Sequence, residues 1–157
     1  YSDSVNKLAK KLKCKIIFEP GRSIIGDTGI LLSKIQYIKK GAKKDFIIID
    51  AGMNDFMRPA LYDAVHKIIP IKKSKSKLKG TIEFVGPICE STCKFGSYKN
   101  YQKISENDFV AITNVGAYGS SLSSNYNSRP LIAELLVNKN KIKYIRKKQD
   151  LLKLINS

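Results

Sequence analysis

Short apolar segments separated by turns constrain the fold of this chain more than any other feature. They are rich in β-branched and aromatic residues, as strands are, and about seven of them follow residue 22. They cover 28–39, 45–50, 65–72, 81–85, 108–115, 131–137 and 141–146. With few helical patterns between them, these segments predict a mostly β fold, an antiparallel sandwich or barrel.

The start of the chain follows a different pattern. Apolar residues at helical spacing occupy 2–12, and a short strand pattern follows at 14–18. A helix followed by a strand is the repeat unit of an α/β barrel, which needs roughly 200 residues or more. We therefore expect 1–25 to be the last helix–strand unit of a (β/α)8 barrel whose other units are absent here. We expect 26–157 to be a C-terminal β domain with a short terminal helix.

The net charge of +16 raises the question of a nucleic-acid partner. The lysines are clumped and leave three long windows without any, at 16–33, 45–66 and 104–138. No aromatic residues are interleaved with the clumps in a pattern that would stack on bases. We interpret the clumps as solvated surface and predict no nucleic-acid partner; binding to DNA at moderate salt would favour the alternative of a nucleic-acid-binding domain.

Three further classes are disfavoured by composition. No apolar segment approaches the ~20 residues that a membrane span needs, so we predict no membrane partner. The cysteines Cys14, Cys89 and Cys93 are odd in number and lack the spacing of a disulfide framework, which indicates a reducing cytoplasm. A single histidine and the lack of a second cysteine pair argue against a metal site.

Arginine is used sparingly and in particular places. Four of the 29 basic residues are arginines, and Arg22, Arg58 and Arg129 all lie in the windows without lysine. Arginine differs from lysine in offering a planar fork to a carboxylate or phosphate. The distribution indicates that the fork is needed at these positions, either for a ligand or for a structural salt bridge.

One corner of the chain presents several reactive groups together. The predicted strand 81–85 ends at a Gly-Pro turn, and Cys89, Glu90 and Ser91 follow. Catalytic side chains often occupy such a position at the end of a rigid element, although a surface turn with an incidental cysteine has the same pattern. The lone histidine, His66, lies at the edge of an apolar strand, and we interpret it as packed or at the surface rather than as part of a Ser-His-Asp triad.

Four stretches, in order and at matching spacing, resemble the diaminopimelate decarboxylase family. They are Glu19-Pro-Gly-Arg22; Asp50-Ala-Gly-Met-Asn-Asp55 with Arg58-Pro-Ala-Leu-Tyr62; Gly86-Pro-Ile-Cys-Glu-Ser91; and Gly116-Ala-Tyr-Gly119 with Ser124-Asn-Tyr-Asn-Ser-Arg-Pro130. This family consists of pyridoxal-phosphate enzymes of the group IV decarboxylase fold, which is similar to that of alanine racemase. The resemblance covers the whole chain and matches the C-terminal part of such an enzyme.

The resemblance implies cofactor-binding roles for four residues. Glu19 would face the pyridine nitrogen of pyridoxal 5'-phosphate and keep it protonated, so that the ring acts as an electron sink. Arg22 would help to bind the cofactor phosphate and the substrate carboxylate, and Gly21 beside it lets the backbone approach the phosphate. Tyr118 would lie against cofactor and substrate.

The resemblance also implies how meso-2,6-diaminopimelate would be bound and decarboxylated to L-lysine. Arg58 and Tyr62 match positions that hold the distal carboxylate, and Glu90 matches the residue that takes the distal ammonium. Cys89 matches the proton donor that acts after carbon dioxide has left. The family pairs two copies, so that Cys89 and Glu90 would reach into the partner's site, and a homodimer is expected.

Two departures from the family pattern bear on activity. Cys93 stands where the family usually has an aspartate, which removes a carboxylate beside the Cys89 corner. The lysine that holds the cofactor covalently belongs to the N-terminal barrel and is absent from this chain, so we expect no activity from the chain alone. A decarboxylase for another basic amino acid, or a non-catalytic relative, is the alternative interpretation; Glu90 together with the Arg58–Tyr62 stretch favours diaminopimelate, because that substrate has a second carboxylate.

Overall fold

A computed structural model of the chain describes residues 2–156. The helices are short apart from the first, and two strands form a hairpin outside the main sheet. The helices are α1 (Ser2–Leu12), α2 (Arg22–Ile25), α3 (Arg58–Tyr62) and α4 (Leu151–Ile155). The strands are β1 (Ile30–Lys39), β2 (Asp45–Ile49), β3 (Ile68–Pro70), β4 (Thr81–Val85), β5 (Lys94–Lys99), β6 (Phe109–Thr113), β7 (Glu134–Asn138) and β8 (Lys141–Arg146).

Six strands form one curled sheet in the order β3-β6-β1-β2-β4-β5. All neighbours are antiparallel except β2 and β4, which pair in parallel from Asp45–Ile82 to Ile48–Val85. A parallel pair needs a long crossover, and the connection from β2 to β4 contains α3 and β3. The predicted mostly β fold is confirmed, and the sheet is mixed rather than wholly antiparallel.

The core lies on the inner face of this curled sheet. In β1, Leu31, Ser33 and Ile35 are buried while Ile30 and Leu32 are exposed, which is the alternation of a strand with one covered face. Burial of one such apolar side chain contributes roughly 1.5–3 kcal/mol. The apolar side chains with no exposed surface come from four neighbouring strands and the loop after β2: Ile35, Ile47, Ile49, Phe56, Ile82, Phe84, Val110 and Ile112.

Two tyrosines join the opposite edges of the sheet. Ile68 in β3 donates its N–H to the hydroxyl of Tyr98 at 2.8 Å, and that hydroxyl donates to the carbonyl of His66 at 3.2 Å. Tyr101 donates its hydroxyl to the carbonyl of Ile68 at 3.0 Å. The two rings contact each other edge to face with centroids 5.1 Å apart. Side chains thus bridge β3 and the end of β5, so the sheet curls into a half-barrel.

The structure corrects three local predictions. Residues 14–20 form no strand and belong to neither sheet, because the neighbouring strands that a barrel strand needs are not among the described residues. β5 was not predicted, since Gly96 and flanking lysines give it the composition of a loop. The strand predicted at 65–72 is only Ile68–Pro70, which pairs with β6 from Ile68–Ile112 to Pro70–Val110.

The N-terminal helix packs loosely on the rest. α1 has no buried residue, and Leu8 and Leu12 are exposed. Exposed apolar side chains continue through Ile17 and Phe18. A search of residues 2–156 for a helix with the length and apolar character of a membrane span finds none.

Candidate active site

A cavity of about 840 Å³ opens beside α3 and is lined by charged and aromatic groups from three separate segments. α2 and the turn after it contribute Arg22 and Asp27. α3 and the segment after it contribute Arg58, Tyr62 and His66, and the loop after β6 contributes Tyr118. Two guanidinium groups and two phenols in one hollow make it suited to an anionic ligand.

Close backbone contact holds the α2 turn against the loop after β6. Gly116 donates its N–H to the carbonyl of Gly26 at 3.0 Å, and Val115 donates to Gly29 at 2.9 Å. A Cβ at Gly116 would lie 1.9 Å from the carbonyl oxygen of Ile25, so only glycine fits. This contact brings the segment of Arg22 and the segment of Tyr118 to the same cavity.

Arg58 is the cation at the centre of the aromatic wall. It begins α3, with Pro59 directly after it, and Asp63 ends the helix in the left-handed conformation at φ 50°. The Arg58 guanidinium carbon lies 5.7 Å from the Tyr62 ring centre and 5.6 Å from the Tyr118 ring centre. Cation–π contacts with both rings therefore restrict where the guanidinium can lie.

His66 lies behind Arg58 and is buried. Its Nδ1 lies 2.9 Å from the Thr113 carbonyl oxygen, and its ring meets Phe56 edge to face at 4.6 Å. Arg58 donates its Nε–H to Nε2 of His66 over 3.4 Å. Burial, and then the positive charges of Arg58 and Arg22, lower the pKa of His66, although the contact with Thr113 opposes them. The prediction of a packed histidine is confirmed, but its contact with Arg58 was missed, since nothing in the sequence pairs these two positions.

Cys89 and Glu90 lie on a different part of the surface. The turn after β4 is closed by Gly86 donating to Cys93 at 2.9 Å and by Cys93 donating to Glu90 at 3.0 Å, both between backbone groups. Cys89 and Glu90 are exposed and do not line the cavity. Tyr126 donates its hydroxyl to Oε1 of Glu90 at 2.6 Å, and this hydrogen bond, together with the charge of Glu90, raises the pKa of Tyr126. Sequence reasoning assigned no role to Tyr126, although it lies in the stretch 124–130 that carries the family resemblance.

The Cys89 corner rests on the loop after β2. Cys93 is buried, and its Sγ accepts the N–H of Met53 at 3.4 Å. A Cβ at Gly86 would lie 2.5 Å from that sulfur and 2.6 Å from the Ala51 carbonyl oxygen, so the corner sits close on the loop. The thiol that replaces the usual aspartate thus supplies an acceptor for Met53.

Arg129 uses its fork within the protein. Its Nη2 donates to the Asp50 carbonyl at 2.8 Å and to Asp55 at 3.4 Å, and its Nε donates to the Asn54 side chain at 3.0 Å. Asp55 is buried. Of the two interpretations of this arginine, the structural one is therefore correct. Arg129 ties the loop of Tyr126 to the loop that supports the Cys89 corner.

The predicted site residues thus divide into three groups. Arg22, Arg58, Tyr62 and Tyr118 share the cavity. Cys89 and Glu90 form the separate corner. Glu19 and Gly21 lie in the exposed segment before α2 and do not line the cavity. Residues 2–156 contain no cluster of three or more metal-ligating side chains.

Comparisons with known proteins identify relatives of this chain. The diaminopimelate decarboxylase of Aquifex aeolicus is 42% identical over 149 residues, which are 95% of this chain and 35% of that protein. The Helicobacter pylori enzyme is 44% identical over 151 residues, 96% of this chain and 37% of that protein. The chain thus spans about a third of the length of these relatives.

The crystal structure of diaminopimelate decarboxylase from Helicobacter pylori complexed with L-lysine superimposes with a TM-score of 0.84 at 42% identity. The match covers 99% of this chain and 38% of that one. The family model described as the C-terminal sheet domain of pyridoxal-dependent decarboxylases matches residues 7–116, more than half of the chain. The chain therefore belongs to the pyridoxal-dependent decarboxylase family, of which it carries the C-terminal sheet domain.

Proposed function

We propose that this chain is the C-terminal part of an enzyme that decarboxylates meso-2,6-diaminopimelate to L-lysine. The observation that carries the proposal is the cavity in which Arg22, Arg58, Tyr62 and Tyr118 meet. At the end that does not react, the substrate carries one carboxylate and one ammonium. A fork-shaped cation for the remaining carboxylate and an acidic group for the ammonium are the complementary set.

In this proposal Arg58 binds the distal carboxylate. The contacts of its guanidinium with two aromatic rings restrict its position before a ligand arrives, which lowers the entropy lost on binding. Tyr62 adds a hydroxyl in the same cavity. Ornithine and arginine lack a second carboxylate, so this arrangement favours diaminopimelate over the alternative substrates.

The residues present fit the part of pyridoxal phosphate that this domain would contact. Arg22 supplies a cation for its phosphate, and a Cβ at Gly21 would meet nothing within 4 Å, so the backbone there is open to a ligand. Glu19 is placed just before them to hold a proton on the pyridine nitrogen, and Tyr118 to lie against the ring. When bound, the cofactor supplies the electron sink for the decarboxylation. The lysine that binds the cofactor covalently is assigned to an N-terminal barrel, of which 1–25 would be the last helix–strand unit.

Cys89 and Glu90 are proposed to act in the site of a second copy. Both are exposed and lie outside this chain's own cavity, so pairing of two copies would bring them to a partner's cavity. There Cys89 delivers the proton that replaces the lost carboxylate, and Glu90 binds the distal ammonium. We assign the homodimer to the cytoplasm, where Cys14, Cys89 and Cys93 stay as thiols.

Carbon dioxide release by the longer protein that the proposal implies tests it. Diaminopimelate should be decarboxylated, and ornithine, arginine and lysine should not. An Arg58→Lys variant, which keeps the charge and loses the fork, should raise KM for diaminopimelate by about tenfold or more. Release from another basic amino acid in preference to diaminopimelate would contradict the proposal.

The role assigned to the isolated chain has its own test. Mixed with pyridoxal phosphate and treated with borohydride, residues 1–157 should carry no cofactor on a specific lysine. A stoichiometric adduct at one lysine would overturn the assignment of the covalent lysine to the barrel.

A further inference from the structure

His66 is held in one orientation and one tautomer by its surroundings. Its Nδ1 faces the carbonyl oxygen of Thr113 at 2.9 Å, which can only accept, so Nδ1 carries the proton. Nε2 is then the acceptor of the ring, and it faces Nε of Arg58. Phe56 fixes the ring plane from the side.

The same contact assigns the donors of Arg58. A guanidinium has five N–H groups, and a carboxylate can meet it side-on, through Nε and one terminal nitrogen, or end-on, through both terminal nitrogens. Because Nε–H points to His66, the side-on arrangement is occupied. The two terminal nitrogens of Arg58 are left for a ligand in the cavity.

We propose that His66 is a positioning residue that fixes Arg58 for end-on binding of the substrate's distal carboxylate. The inference rests on the proposed function, since it takes that carboxylate as the ligand of Arg58. His66 acts through Arg58 and makes no contact with the substrate in this scheme. The lowered pKa of His66 is consistent with this role, because a protonated imidazole would lose its acceptor and repel the guanidinium of Arg58.

Two variants separate the two hydrogen bonds of the ring. In His66→Asn the shorter amide reaches the position of Nδ1 and keeps the donor to Thr113, but withdraws the acceptor from Arg58. In His66→Gln the longer amide reaches the position of Nε2 and presents an oxygen to Arg58. The two variants are matched in polarity and differ in which bond they retain.

The readout is inhibition of the longer protein by two compounds that differ in one group. L-lysine carries the carboxylate that Arg58 would bind, and 1,5-diaminopentane lacks it. We expect His66→Asn to raise the inhibition constant of L-lysine by about tenfold or more, from the loss of a hydrogen bond to a charged group, with 1,5-diaminopentane unchanged. His66→Gln should stay within about threefold of the unmodified protein for both compounds. Equal weakening of both compounds by His66→Asn, or unchanged inhibition by L-lysine, would overturn the inference.

Carbon dioxide release by the unmodified protein is measured first, so that a failure of the proposed function is seen separately from a failure of the inference. If His66→Asn does not fold, nitrogen-15 NMR of the unmodified protein decides the point. Nδ1 should be protonated and Nε2 should bear the shift of an unprotonated, hydrogen-bonded nitrogen. A proton on Nε2 would overturn the inference, because that nitrogen would then be unable to accept from Arg58.

Discussion

The cavity around Arg58 and the corner at Cys89 are held by different means. The cavity depends on contacts between separate segments of this chain: the close approach at Gly116, the buried ring of His66 and the aromatic rings beside Arg58. The corner presents exposed side chains and is stabilised from beneath through Met53 and from the side by Tyr126. The comparison teaches that one half of the proposed site is shaped within this chain, whereas the other half is displayed on its surface.

This difference fits a site shared between two copies. A group that must enter another molecule has to be exposed before pairing, and its supports must lie on its own chain. Arg129 provides such support, because it links the loop of Tyr126 to the loop beneath Cys93 through Asp55 and Asn54. We therefore expect each region to respond most strongly to substitutions among its own contacts.

The largest expected effect comes from Gly116→Ala, which acts on the cavity alone. The new methyl group would collide with the Ile25 carbonyl at 1.9 Å and force the α2 turn away from the loop of Tyr118. We expect a loss of about 1–3 kcal/mol or more in the free energy of unfolding, measured by urea denaturation of the chain. Gly21→Ala is the matched control for folding, since its methyl group would meet nothing within 4 Å. Equal stability of the two variants would show that the close contact between Gly116 and the Ile25 carbonyl does not support the cavity.

Arg129→Lys is expected to act on the corner alone. Lysine cannot reproduce the fork that reaches the Asp50 carbonyl, Asn54 and Asp55, and Asp55 is buried. The loss should be about 1–3 kcal/mol. Hydrogen exchange should quicken in 51–55 and 120–130, with the amides of β6 unchanged. Faster exchange across the whole sheet would show that the two regions are not independent.

The pH dependence of the free energy of unfolding tests the cavity through His66. Since the pKa of His66 is lowered in the folded chain, the unfolded chain binds a proton first as the pH falls below about 6.5. The free energy of unfolding should therefore decline from that point until the pH passes the folded pKa. His66 is the one histidine in the sequence, so a His66→Gln variant should lose this decline. An unchanged decline in the variant would assign it to other groups.

The smallest effect is spectroscopic and concerns the corner. The hydrogen bond to Glu90, and then the charge of Glu90, raise the pKa of Tyr126 above its usual value of about 10. Glu90→Gln should bring the phenol titration back toward that value in ultraviolet absorbance at alkaline pH. Tyr126→Phe identifies the signal by removing it. A titration that Glu90→Gln leaves in place would show that the 2.6 Å contact is not maintained in solution.

Local patterns predicted the elements whose own residues determine them. Thr81–Val85 and Lys141–Arg146 lie where alternation and turn residues placed them, and Pro59 marked the start of α3. β5 could not be recognised, because its place in the sheet depends on β4 rather than on its own composition. The parallel pairing of β2 and β4 likewise arises from a long crossover that no local window contains.

The site shows the same boundary between local and distant information. Motifs named Arg22, Arg58, Tyr62 and Tyr118, and the structure places them in one cavity. The contact of His66 with Arg58 and that of Tyr126 with Glu90 were not predicted. Each depends on how a loop folds back in three dimensions, and the second joins residues that are 36 positions apart.

The Tyr98 side chain spans the gap between the two edge strands β3 and β5, so its length sets how far apart these edges of the curled sheet lie. The Tyr98 hydroxyl bonds both the N–H of Ile68 and the backbone carbonyl of His66, so the bridge that closes the half-barrel also holds the backbone of the histidine that contacts Arg58. A Tyr98→Phe variant would keep the packing of the ring and lose both hydrogen bonds of the bridge. The position of Arg58 in the cavity therefore depends in part on the hydrogen bonds that join the two edge strands of the sheet.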